Sequence, residues 1–81
     1  MTQWTVLSRS ECSLCEQLLS ELAEELSPAE AAQVSVVDVD QDPALVQKYG
    51  HRVPVLLADD DFVCDYRLDR DRVRAITAQH S

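Results

Sequence analysis

Trp4-Thr5-Val6-Leu7-Ser8-Arg9-Ser10-Glu11-Cys12-Ser13-Leu14-Cys15-Glu16-Gln17-Leu18-Leu19 changes its periodicity part-way along. Trp4, Thr5, Val6 and Leu7 combine aromatic and β-branched side chains, which reads as a strand over Thr2 to Leu7, and Ser8-Arg9-Ser10-Glu11 is a polar break. From Ser13 onward Leu14, Leu18, Leu19, Leu22, Ala23 and Leu26 recur at helical spacing, with Glu16, Glu21, Glu24 and Glu25 outside the stripe. A strand therefore feeds a loop that opens a helix, and Cys12 and Cys15 stand at the joint.

Working outward, Ser27-Pro28-Ala29-Glu30 supplies an N-cap, a first-turn proline and a glutamate three residues on, so a short extra helix or turn follows. Val34 to Val39 has few polar interruptions and predicts a strand buried on both faces. Asp42-Pro43 opens a second short helix that Gly50 stops. Val53 to Ala58 and Phe62 to Tyr66 are two apolar runs joined by Asp59-Asp60-Asp61, an antiparallel hairpin with an acidic, solvated tip. Strand alternation puts Phe62, Cys64 and Tyr66 on one face and Val63, Asp65 and Arg67 on the other, which makes Cys64 a buried structural thiol. Asp69 caps a last helix with Val73, Ile76 and Thr77 inward and Arg70, Arg72 and Arg74 solvated, and Trp4 belongs to the core. The predicted order is β-α-β-α-β-β-α, an α/β domain.

The chain has 81 residues, 46 % of them hydrophobic, with one glycine and three prolines. This is a globular composition with no linker or repeat, and it predicts one domain over residues 1–81. Fifteen acidic residues oppose seven basic ones for a net charge of −8, which gives no electrostatic hold on phosphate backbones or anionic bilayers. Nucleic acid and membrane are not expected partners. The residues from Met1 to Leu7 lack a basic, then apolar, leader pattern, so the expected location is the cytoplasm, and nothing in the apolar pattern demands more than a monomer.

Three cysteines are an odd number, which fits chemistry better than a disulfide-stapled scaffold. At a helix N-terminus the unpaired N–H groups and the helix dipole favour a thiolate at Cys12, and thiols so placed titrate well below the ordinary thiol range. Glu11 and Glu16 oppose that thiolate and Arg9 supports it. Cys15, three residues on, can reach the same sulfur, closing a disulfide or resolving a mixed one. Two other readings share the spacing. Half of a zinc site would need two more ligands, and the remaining candidates, Cys64, His51 and His80, are scattered, so no metal is expected; two inert buried cysteines are the third reading.

Cys12-Ser13-Leu14-Cys15 after the first strand, Val53-Pro54 opening the third, the run Tyr49-Gly50-His51-Arg52 before it and the element order together resemble the glutaredoxin-like branch of the thioredoxin superfamily. The resemblance spans nearly the whole chain. It implies a four-stranded mixed sheet flanked by helices and a thiol-disulfide oxidoreductase whose catalytic pair is Cys12 and Cys15. It further implies that Pro54 is cis, and that Val53 and Pro54 form the ledge that binds a thiol substrate. Apart from the resemblance, Arg9 in the loop before Cys12 is a further substrate-binding candidate, with an ordinary solvated loop arginine as the other reading. Dithiol glutaredoxins commonly carry Pro-Tyr between the cysteines and a Gly-Gly pair before the last helix, where this chain has Ser13-Leu14 and no second glycine. Glutathione is therefore a candidate co-substrate without its usual seat, and no cofactor is expected to be bound. A domain this short has no room for a nucleotide cofactor, so a protein disulfide or thiol and an external reductant are the expected partners. A second class of function stays open: a redox-silent adaptor that docks a partner through its acidic surface.

Overall fold

The computed structural model describes residues 2–79. Along the chain it places β1 (Trp4–Ser8), α1 (Ser13–Glu25), α2 (Pro28–Ala31), β2 (Ser35–Asp38), a 3₁₀ turn (Val39–Gln41), α3 (Pro43–Tyr49), β3 (Val55–Ala58), β4 (Asp61–Asp65) and α4 (Arg70–Gln79). His80, one of the scattered zinc candidates, lies outside the described residues. The strands form one sheet in the order β2-β1-β3-β4. β1 runs parallel to β2 and antiparallel to β3, and β3 runs antiparallel to β4, so the sheet is mixed.

Local chemistry places most boundaries. Ser27 accepts from the Glu30 amide while the Glu30 carboxylate accepts from the Ser27 amide, a complete capping box, and Pro28 needs no donor at the first helical position. Asp42 caps α3 through a 3.0 Å bond from the Ala44 amide, again with proline next. In the β3–β4 turn Asp59 and Asp60 have φ of 50° and 71°, the left-handed pair that a tight two-residue hairpin turn requires and that Asp tolerates. The Asp59 carboxylate accepts from the Gln3 amide at 2.8 Å, tying the turn to the start of β1. Gly50 is the C-cap that ends α3, as the sequence suggested, with a φ of −54°. Its missing side chain matters: a Cβ there would lie 2.5 Å from the Val46 carbonyl oxygen.

The period of two along β1 sorts its side chains between two cores. Trp4 and Val6 face one way, joining Leu56, Ala58, Leu18 and Leu22 of α1, Leu26 at its C-cap and Val73 of α4. Leu7 faces the other way, with Val55, Leu57, Val39 and Tyr49. Each fully buried aliphatic side chain contributes about 1.5–3 kcal/mol, so these two clusters hold the sheet between α1 and α4 on one face and α3 on the other.

Three expectations from sequence are corrected. The valine run does not form a strand buried on both faces: β2 is an edge strand, Val36 is 54 % exposed, and Val39 reaches the core only from the 3₁₀ turn. An edge strand has a neighbour on one side only, and the helix layers do not extend over Val36. In β4 the alternation breaks. Leu56 pairs with Cys64 but Leu57 with Phe62, which leaves Val63 as the extra residue of a bulge; Val63 and Cys64 are both buried in one cluster, while Phe62 and Tyr66 are exposed. Finally, Arg70 and Arg74 are not simply solvated. Arg70 pairs with Glu21, Glu24 and Glu25, and Arg74 with Glu25, so helices α1 and α4 are laced together by charge. Glu25, with its side chain only 9 % exposed, is held at a pKa of about 2 by hydrogen bonds from Arg74 and then Arg70. Helical spacing correctly put both sets outside the apolar stripes; only the packing of one helix beside the other brings opposite charges into contact.

Candidate active site

Antiparallel pairing sets Leu7 beside Val55, so the loop that leaves β1 and the loop that enters β3 lie at the same end of the sheet. The first carries Cys12 and Cys15 and the second carries Val53 and Pro54. The polar run after β1 ends in Glu11, whose φ of 56° turns the chain into α1. Cys12 is the N-cap, in extended conformation, and its sulfur accepts a 3.2 Å hydrogen bond from the Cys15 amide. Serine and aspartate oxygens commonly fill that position; here a sulfur takes it and meets one of the helix's unpaired donors.

Cys12 and Cys15 form a disulfide with Cα atoms 5.2 Å apart. The two sulfurs are unequally accessible. Cys15 is 3 % exposed on the inner side of α1, while Cys12 is partly exposed at the helix tip. Leu14, between them, is 41 % exposed and adds an apolar edge. Of the two sulfurs in this geometry, Cys12 is the one a partner can reach.

The peptide from Val53 to Pro54 is cis, and Pro54 is fully buried. Its carbonyl accepts from the Tyr66 amide at 2.9 Å, whereas the Val53 N–H and C=O have no hydrogen-bond partner among the described residues. An open backbone donor and acceptor on a fixed loop can pair with an extended peptide. Arg52 anchors the same loop to β4: its Nε lies 3.0 Å from the Asp65 carboxylate, and its guanidinium stands 4.6 Å over the Phe62 ring.

Arg9 is paired with Asp40 of the 3₁₀ turn at 3.1 Å. Its guanidinium also lies against Gly50, since a Cβ on that glycine would meet it at 3.3 Å. Arg9 thus links the loop before the cysteines to the end of α3. His51 is exposed, and its carbonyl accepts from the Tyr66 phenol. Cys64 is buried away from this loop cluster in the β4 bulge, and burial pushes its thiol pKa up. Among the described residues no three His, Cys, Asp or Glu side chains group as metal ligands would.

The sequence reading named Arg52 only within the run Tyr49-Gly50-His51-Arg52 that leads into Pro54 and took Tyr66 as an inward strand residue, yet both fasten the loop that carries Val53. The two-residue period gave no signal for this, because Tyr66 lies beyond the bulge that breaks it.

Comparison with known proteins agrees with this geometry. No curated protein matches the chain. Among solved structures, the solution structure of protein Ne2328 from Nitrosomonas europaea is 32 % identical with a TM-score of 0.79, over 93 % of this chain and 89 % of that one. The X-ray structure of a structural-genomics target protein from X. campestris is 33 % identical with a TM-score of 0.68, over 94 % and 96 %. A mutant thioredoxin from Halobacterium salinarum is 30 % identical with a TM-score of 0.51, over 96 % and 73 %. The last of these shares the thioredoxin fold that the mixed sheet and flanking helices display. A model of the glutaredoxin-like domain (DUF836) matches residues 3–76, which takes in the first strand, the cysteine pair, the Val53–Pro54 loop and most of the last helix. With its thioredoxin-like sheet and its C-x-x-C pair at the head of the first helix, this chain belongs to the glutaredoxin-like domain family.

Proposed function

We propose that the protein is a thiol-disulfide oxidoreductase working through Cys12 and Cys15. The observation that carries this reading is the disulfide at the N-terminus of α1, with one sulfur accessible and the other buried behind it. In the reduced protein the Cys12 thiolate attacks a substrate disulfide. A Cys12–substrate mixed disulfide forms, and one substrate sulfur leaves as a thiolate that takes up a proton. Cys15, as its thiolate, then attacks the Cys12 sulfur and expels the second substrate thiol. Two electrons have passed to the substrate, and the Cys12–Cys15 disulfide remains. An external dithiol or glutathione restores the reduced pair.

Val53 and Pro54 serve as the ledge for the substrate segment beside its sulfur, supported by the open Val53 backbone groups and the fixed loop around them. Arg9 acts on the site through the loop it braces, because its guanidinium is engaged by Asp40. The expected partner is a protein disulfide, docking over the exposed Leu14. Cys15→Ser should trap a mixed disulfide through Cys12, visible by mass after acid quenching, and Cys12→Ser should abolish exchange. Equal exchange in both variants and the parent would sink the proposal.

A further inference from the structure

Tyr66 follows β4 directly and has a φ of 61°, a left-handed conformation that residues with a Cβ disfavour. Apolar burial does not explain a tyrosine there, because the residue is 47 % exposed. Its hydrogen bonds do. The Tyr66 amide donates to the Pro54 carbonyl at 2.9 Å, and the phenol donates to the His51 carbonyl. The two acceptors bracket Val53, whose own backbone groups are open. A residue that is backbone-strained, half out of the core and bonded twice to one loop is positioned for the sake of that loop.

We propose that Tyr66 is a positioning residue: its phenol, bonded to the His51 carbonyl, fixes the Val53 backbone in the orientation in which a polypeptide disulfide docks. This rests on the thiol-disulfide reading above. Arg52 also fastens the loop to β4, through Asp65 and the Phe62 ring, so losing the phenol loosens the ledge without releasing it. The effect belongs to binding, because Tyr66 supplies no group to the exchanging sulfurs.

The test uses the pre-reduced full chain in single turnover against a fluorescent disulfide-bonded peptide and against 2-hydroxyethyl disulfide, which is too small to pair with the ledge. Tyr66→Phe keeps the ring and removes one hydrogen bond, so the half-saturating peptide concentration should rise roughly three- to tenfold while the maximal rate stays within about twofold. The Arg52 amide, bonded to the Tyr49 carbonyl, should exchange hydrogen faster in the variant. Tyr66→Gly releases the left-handed strain, so its melting temperature should hold or rise while peptide saturation weakens as in the phenylalanine variant. A purely structural residue would lose stability and binding together. A parent that exchanges with both disulfides while Tyr66→Phe saturates unchanged overturns the role of Tyr66 alone. A parent that exchanges with neither overturns the thiol-disulfide reading, and the ledge with it.

Discussion

Reduction of the Cys12–Cys15 bond should weaken this protein without unfolding it. The loop that the bond closes is one of the shortest a disulfide can make, with a sequence separation of 3. Chain-entropy reasoning gives such a loop about 2 kcal/mol of stabilisation. Opposing this, a reduced Cys12 that kept the α1 N-cap and the Cys15 amide donor would, as a thiolate, regain about 0.3–1 kcal/mol from the helix terminus. The net loss is then about 1–2 kcal/mol. For a domain of this size that lowers the melting midpoint by roughly 4–15 °C, and the core clusters around Trp4 and Leu7 keep the reduced chain folded. Urea unfolding of the oxidised and phosphine-reduced protein, followed by Trp4 fluorescence, measures the difference directly. Reduced protein that is unfolded in the absence of urea would show the bond to be a structural staple and refute the reasoning. Reduced protein more stable than oxidised would show that the thiolate outweighs the loop entropy.

The Glu25 clamp makes a pH prediction. Its pKa is lowered from 4.5 to about 2 by Arg74 and Arg70, so it stabilises the fold fully above pH 4.5 and loses that contribution as pH falls towards 2. Urea midpoints between those pH values should fall for the parent, and Glu25→Gln should show a shallower fall. Gly50→Ala places a methyl group 2.5 Å from the Val46 carbonyl and should cost about 1–3 kcal/mol in urea unfolding, whereas an uncrowded helix end would tolerate alanine. Burial raises the Cys64 pKa, so limited alkylation of the reduced protein at neutral pH should label Cys12 first and Cys64 last by peptide mass; early labelling of Cys64 would contradict its place in the β4 bulge.

Much of this protein follows from local sequence. The strand-loop-helix joint, the Ser27 and Asp42 caps with their prolines, the acidic hairpin tip and the C-x-x-C at a helix start are each set by a few neighbouring residues, because backbone preference and capping act within one turn. The element order was legible for that reason. What neighbours in sequence could not decide were the facts that depend on who packs beside whom. Sheet order made the valine run an edge strand rather than a buried one. The β4 bulge put Val63 and Cys64 on one side and freed Tyr66 to reach the loop before β3. Packing of α1 against α4 turned two solvated-looking charge stripes into the Glu25 clamp. Each joins residues far apart in the chain. Periodicity tells which face of an element is apolar, and only tertiary packing decides which partner that face, or its polar rim, will meet.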